Sequence, residues 1–122
     1  MPVCEQQPAR ILLVEDEPLI ALELEELLIE AGFKVAIAGQ LEKALALIEH
    51  AAFDAAIIDA NLAGVSANPL TSALTGRGLP FIVLSGYSSE QLQGKFIGAL
   101  FMQKPFQPAQ LIKALNTIVP KQ

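Results

Sequence analysis

Five short runs of branched and aliphatic residues, Ile11 to Val14, Val35 to Ala38, Ala55 to Ile58, Phe81 to Leu84 and Ala99 to Met102, alternate with longer segments whose apolar residues recur at helical spacing. A continuous apolar run is what a strand buried on both faces looks like, and strands separated by helices cannot be joined as hairpins. They must be parallel, and right-handed crossovers then put helices on both faces of one sheet. The pattern predicts an α/β, doubly wound (βα)5 architecture with a five-stranded parallel sheet of order 2-1-3-4-5.

The helical segments carry their own punctuation. Pro18 suits a first helical turn, and Ile20, Leu24, Leu27, Leu28 and Ala31 then line one face until Gly32 ends the helix. Leu41, Ala44, Leu45 and Ile48 mark a second amphipathic helix that runs out near Ala51. Residues Asn61 to Ala67 read as loop, and Asn68 with Pro69 starts a weak helix through Leu74, closed by Gly76 and Gly78. A short helix is expected from Ser88 to about Gln93, and a last one from Pro108 to Ile118 with Leu111, Ile112, Leu115 and Ile118 facing inward.

At 122 residues the chain holds one ordinary domain, read as a flexible leader (1–9), a folded unit (10–119) and a tail (120–122). The start has no basic cluster followed by an apolar stretch, so a cytoplasmic protein is expected, and the start and short tail suggest a complete one. Apolar runs stop short of membrane-spanning length. Seven of the thirteen acids lie between Glu15 and Glu30, the eight Lys and Arg are scattered, and the net charge is -5. Phosphate backbones need clustered cations, so direct nucleic-acid binding is not expected, nor is membrane association. Cys4 is the only cysteine and excludes an internal disulfide or a cysteine metal cluster.

In a doubly wound sheet the ligand site lies outside the carboxyl ends of the strands, where strand order reverses. Glu15 and Asp16 follow the first strand, Asp59 ends the third, Ser85 ends the fourth, and Lys104 follows the fifth. Singly, each has a plain structural role: the acids could cap a helix, the serine start a turn, the lysine sit in water. Together they place three carboxylates at one edge, which repel unless a cation neutralises them, and hard oxygen ligands suit magnesium or manganese. Beside that ion a carboxylate can accept a phosphoryl group if an ammonium and a hydroxyl balance the charge on the transferring oxygens. Asp59 is the central candidate, with Lys104 supplying the ammonium and Ser85 the hydroxyl.

The stretches LLVEDEP, AAIIDANLAG, FIVLSGY and QKPF, in this order between Arg10 and Ile118, resemble the four signatures of response-regulator receiver domains of two-component systems. The resemblance implies that Glu15, Asp16 and Asp59, with the backbone carbonyl of Asn61, hold the metal, and that Asp59 is the phospho-acceptor. It implies phosphate contacts from Ser85 and Lys104 and a cis peptide between Lys104 and Pro105. The phosphodonor would be a sensor histidine kinase or a histidine phosphotransfer protein. The output would be control of a partner that the chain does not name, or drainage of phosphate from a kinase. Such a domain is no general enzyme, catalysing only its own phosphorylation and dephosphorylation.

Several positions depart from the common receiver pattern. Leu62, Ala63, Gly64, Val65, Ser66 and Ala67 stand where receivers commonly carry a proline after the leucine and a glycine a few residues later. Together with Asn68-Pro69-Leu70 and Gly78-Leu79-Pro80-Phe81, this is similar to short, stand-alone alphaproteobacterial receivers with a Pro-Phe-x-Phe-Ala-Thr-Gly-Tyr-like stretch, although Leu84 and Ser85 replace the alanine and threonine. Phe101, at the aromatic switch position, lacks a hydroxyl and serves equally as a core aromatic. Gly86 leaves room for a phosphoryl group, while Tyr87 and Asn61 flank it, and Tyr87 is bulky enough to keep water away.

Two enzyme-like or cofactor-binding alternatives share parts of this constellation. A haloacid-dehalogenase-like phosphatase also uses an aspartate nucleophile with magnesium, but places it after the first strand and the paired acids late. A flavodoxin-like flavin binder shares the architecture, but Glu15 and Asp16 would repel the cofactor phosphate where its cradle should be. A receiver cut from a hybrid kinase is a third alternative.

Overall fold

Pro18 and Gly32 bracket the first helix as their chemistry requires. A computed structural model describes residues 8–59, 68–85, 100–103 and 107–119. In it α1 (Pro18–Glu30) follows β1 (Arg10–Val14), with Pro18 at the position where a missing N–H costs nothing. The helix stops in a glycine-terminated turn: Gly32, at φ 97°, donates its N–H to the Ile29 carbonyl, and Phe33 donates to the Leu28 carbonyl. The same device ends α3 (Asn68–Gly76), where Gly78, at φ 69°, turns the chain and Leu79 donates to the Leu74 carbonyl.

The remaining elements are β2 (Lys34–Ala38), α2 (Leu41–His50), β3 (Ala55–Asp59), β4 (Phe81–Ser85), β5 (Leu100–Gln103) and α4 (Pro108–Ile118). All strand pairs are parallel and the order is β2-β1-β3-β4-β5, as the alternation predicts. Asp59 ends β3 and Ser85 ends β4 as expected, while β1, β2 and β5 take in one polar residue beyond the apolar run, at Arg10, Lys34 and Gln103. Ladder bonds are made by the backbone and tolerate any side chain that can reach water or a partner. The helix expected from Ser88 to Gln93 lies outside the described residues.

Side chains of successive strand residues go to opposite faces, and the core accordingly has two halves. On one face Leu12, Val14, Ala56, Ile58, Phe81 and Val83 pack with Ala44 and Ile48 of α2 and Leu70 and Leu74 of α3. On the other, Ile11, Leu13, Ala55, Ile57, Ile82 and Leu84 pack with Ala21, Leu24 and Leu28 of α1 and Leu111 and Leu115 of α4. Each fully buried Leu or Ile contributes roughly 1.5–3 kcal/mol relative to exposure.

The buried face of α1 is rotated from the expected one. Ala21, Leu24 and Leu28 form its centre, Ile20 and Leu27 are half-buried at its flank, and Ala31 is exposed beyond the helix end. In α4 the inward pair is Leu111 and Leu115, with Ile112 and Ile118 half-buried.

Candidate functional site

The carboxyl end of β1 carries two acids at the place where the sheet order reverses. The Glu15 N–H donates to the Ala38 carbonyl of β2 at 3.1 Å, one rung beyond the last matched pair, Val14 with Ala38, so the ladder still holds the backbone there. On the other side Val14 is in register with Ile58 of β3. Glu15 and Asp59 are therefore each one step past a matched pair on neighbouring strands.

That register has a direct chemical consequence. Glu15, Asp16 and Asp59 each offer a carboxylate oxygen, and these atoms all lie within 4.8 Å of one another. Glu15 is only 2% exposed and Asp59 8%, while Asp16 is half-buried. Carboxylates this close and this dry attract cations strongly, because little water remains to screen them. Three carboxylates without histidine or cysteine make a hard donor set, which fits a magnesium-like ion.

One orienting contact was not foreseen from the sequence. The Glu17 N–H donates to Oε2 of Glu15 at 3.3 Å, a bond from the turn into α1 that restrains the carboxylate. Its only signal was the two-residue spacing between an acid and a helix start. Glu17 itself is exposed.

The other strand ends arrive at the same edge. Asp59 is in register with Leu84 of β4, so Ser85 lies one step further, and Ser85 is in register with Gln103 of β5, the residue before Lys104. Phe101 is in register with Val83. Asn61, Gly86, Tyr87, Lys104 and Pro105 lie outside the described residues. Among the described residues no helix is long and apolar enough to cross a membrane.

A family model described as the response regulator receiver domain matches residues 11–116. The chain is 31% identical over 119 residues to the transcriptional regulatory protein PdtaR of Mycobacterium tuberculosis, covering 93% of this chain and 58% of that protein. It spans about half the length of the curated relatives it matches, with coverage of 54% and 50% in two others. Among solved structures it superposes on SdrG from Sphingomonas melonis Fr1 with a TM-score of 0.76 at 36% identity, covering 93% of this chain and 98% of that one. The match to TrrA of Thermotoga maritima, solved in complex with Mg(2+)-BeF, has a TM-score of 0.82 at 26% identity, with 91% and 99% covered.

Proposed function

The chain belongs to the response regulator receiver domain family of two-component signalling, and from that premise we propose that it takes a phosphoryl group onto Asp59 in a reaction that needs a divalent cation. The family is a phospho-acceptor signalling domain, phosphorylated by histidine kinases. The observation that carries the residue assignment is the convergence of Glu15, Asp16 and Asp59 within 4.8 Å.

In the proposed step a carboxylate oxygen of Asp59 bonds to phosphorus as the P–N bond of a phosphohistidine donor breaks. The imidazole nitrogen keeps the bonding pair and takes a proton. Glu15, Asp16 and Asp59, with the Asn61 carbonyl, would hold magnesium or manganese, which supplies neutralisation of charge on the phosphoryl oxygens. Lys104 would balance that charge from the other side, and the Ser85 hydroxyl would donate to a phosphoryl oxygen. Gly86 would leave the approach open, Tyr87 would limit water, and Phe101 stands at the sequence position of an aromatic switch.

On this reading residues 10–119 form the working unit and act in the cytoplasm. The phosphodonor is a sensor histidine kinase or a phosphotransfer protein, and the output is control of a partner or drainage of phosphate. Neither nucleic acid nor membrane is contacted directly, and catalysis is confined to the chain's own phosphorylation and dephosphorylation.

The test is incubation with magnesium and acetyl phosphate followed by intact mass. One phosphoryl addition is expected in the parent and none in Asp59→Asn or without magnesium; labelling of Asp59→Asn to the same extent would refute the assignment.

A further inference from the structure

Glu15 is tethered at both ends of its length. Its own N–H donates to the Ala38 carbonyl, which holds the backbone to β2, and its Oε2 accepts the Glu17 N–H at 3.3 Å. Glu17 opens α1 with an extended backbone, φ -88° and ψ 110°, and its carbonyl accepts the Ala21 N–H at 2.9 Å. Pro18 follows with its ring-fixed φ, and Ala21 is buried against the sheet with Leu24 and Leu28. The Glu15 carboxylate is therefore referenced to a packed helix, and its backbone to a strand ladder. The Glu17 side chain is exposed and makes no cap bond to the helix it opens, so residue 17 acts at this corner through its main chain.

The length of the glutamate arm gives such a tether its use. A glutamate has one more rotatable bond than an aspartate between backbone and carboxylate, and fixing a long polar side chain costs up to about 1.5–2 kcal/mol. Repulsion from Asp16 and Asp59, with carboxylate oxygens of all three within 4.8 Å, drives the Glu15 carboxylate to turn away. At 2% exposure it has little water to steady it against that push. The Glu17 N–H opposes the push, because it lies at the end of α1 where the helix dipole favours an anion, and turning the carboxylate away breaks its bond.

We propose that the backbone N–H of Glu17 is a positioning group of the cation site, which holds the Glu15 carboxylate within the cluster before a divalent cation arrives. The inference rests on the reading of Glu15 as a cation ligand. Contacts that orient ligating carboxylates typically change metal affinity by about 10- to 100-fold. At 3.3 Å the bond is longer than the usual value of about 2.9–3.0 Å, which puts its effect at the lower end of that range.

The test replaces the amide between Asp16 and Glu17 by an ester in the full chain, which removes this N–H and leaves every side chain in place. Magnesium affinity is read by calorimetry in the parent, the ester, Glu15→Ala, and the ester carrying Glu15→Ala, with a melting curve in chelator to show that each folds. The ester is expected to weaken magnesium binding about tenfold, and to change it by less than about twofold once Glu15→Ala is present. A merely structural role at the start of α1 would weaken binding equally in both backgrounds, and that result overturns the proposal. Amide exchange gives a second measurement that needs no ester: the Glu17 N–H should exchange about tenfold more slowly in the parent than in Glu15→Ala. Equal exchange overturns the proposal whether or not the ester folds. Weakened magnesium binding in Glu15→Ala with parent-like binding in the ester sinks the tether alone, whereas parent-like binding in Glu15→Ala sinks the cation-ligand reading with it.

Discussion

Neutralising Asp59 should stabilise the cation-free protein, although it removes the proposed acceptor. With carboxylate oxygens of Glu15, Asp16 and Asp59 no more than 4.8 Å apart, each pair repels by about 0.9 kcal/mol in bulk water and about 3.5 kcal/mol at the effective dielectric of protein sites. Asp59→Asn relieves two such pairs, about 2 to 7 kcal/mol in all. The charged carboxylate also has interactions of its own to lose, so a net gain of about 2 kcal/mol is a sober expectation. In a domain of this size that raises Tm by about 6 to 10 °C. The assay is thermal unfolding in a chelating buffer and again with magnesium, which should raise the Tm of the parent well above its effect on Asp59→Asn. An equal or lower Tm for Asp59→Asn in the chelator would refute the crowding argument, as would equal magnesium stabilisation of both proteins.

Glu15→Gln should leave the fold intact and raise the magnesium concentration needed for labelling by acetyl phosphate about tenfold or more, measured as half-maximal labelling in a metal titration. Leu111→Ala, at a fully buried site between α4 and the sheet, should cost about 2–5 kcal/mol in denaturant unfolding, while Ile29→Ala at an exposed position of α1 should stay within about 0.5 kcal/mol. Tyr87→Ala should shorten the lifetime of the phosphorylated protein followed by mass; an unchanged lifetime would remove the shielding role.

The layered fold was legible because strands and helices differ in apolar period, and five buried runs leave few ways to be joined. Residue ends were less legible. Arg10, Lys34 and Gln103 join strands through backbone pairing, which has no hydrophobic signature. Ala21 was missed at the centre of the buried stripe of α1 because a methyl group hardly marks a face, and the bulkier Ile20 and Leu27 drew the expected stripe to one side. The acids of the site stood out because they interrupt or end apolar runs. Their closeness did not, since it depends on the register of β1 against β3, strands that are neighbours in space and not in sequence.

The alternation of core rows limits how this chain can change. Asp59 continues the row of Ala55 and Ile57, and Glu15 that of Ile11 and Leu13, both on the α1 and α4 side. Exchanging one aliphatic for another within β3 leaves this parity untouched. Inserting or deleting a single residue ahead of Asp59 would turn its carboxylate toward the opposite layer while preserving a plausible hydrophobic strand. The length of that short strand is therefore under tighter constraint than its composition.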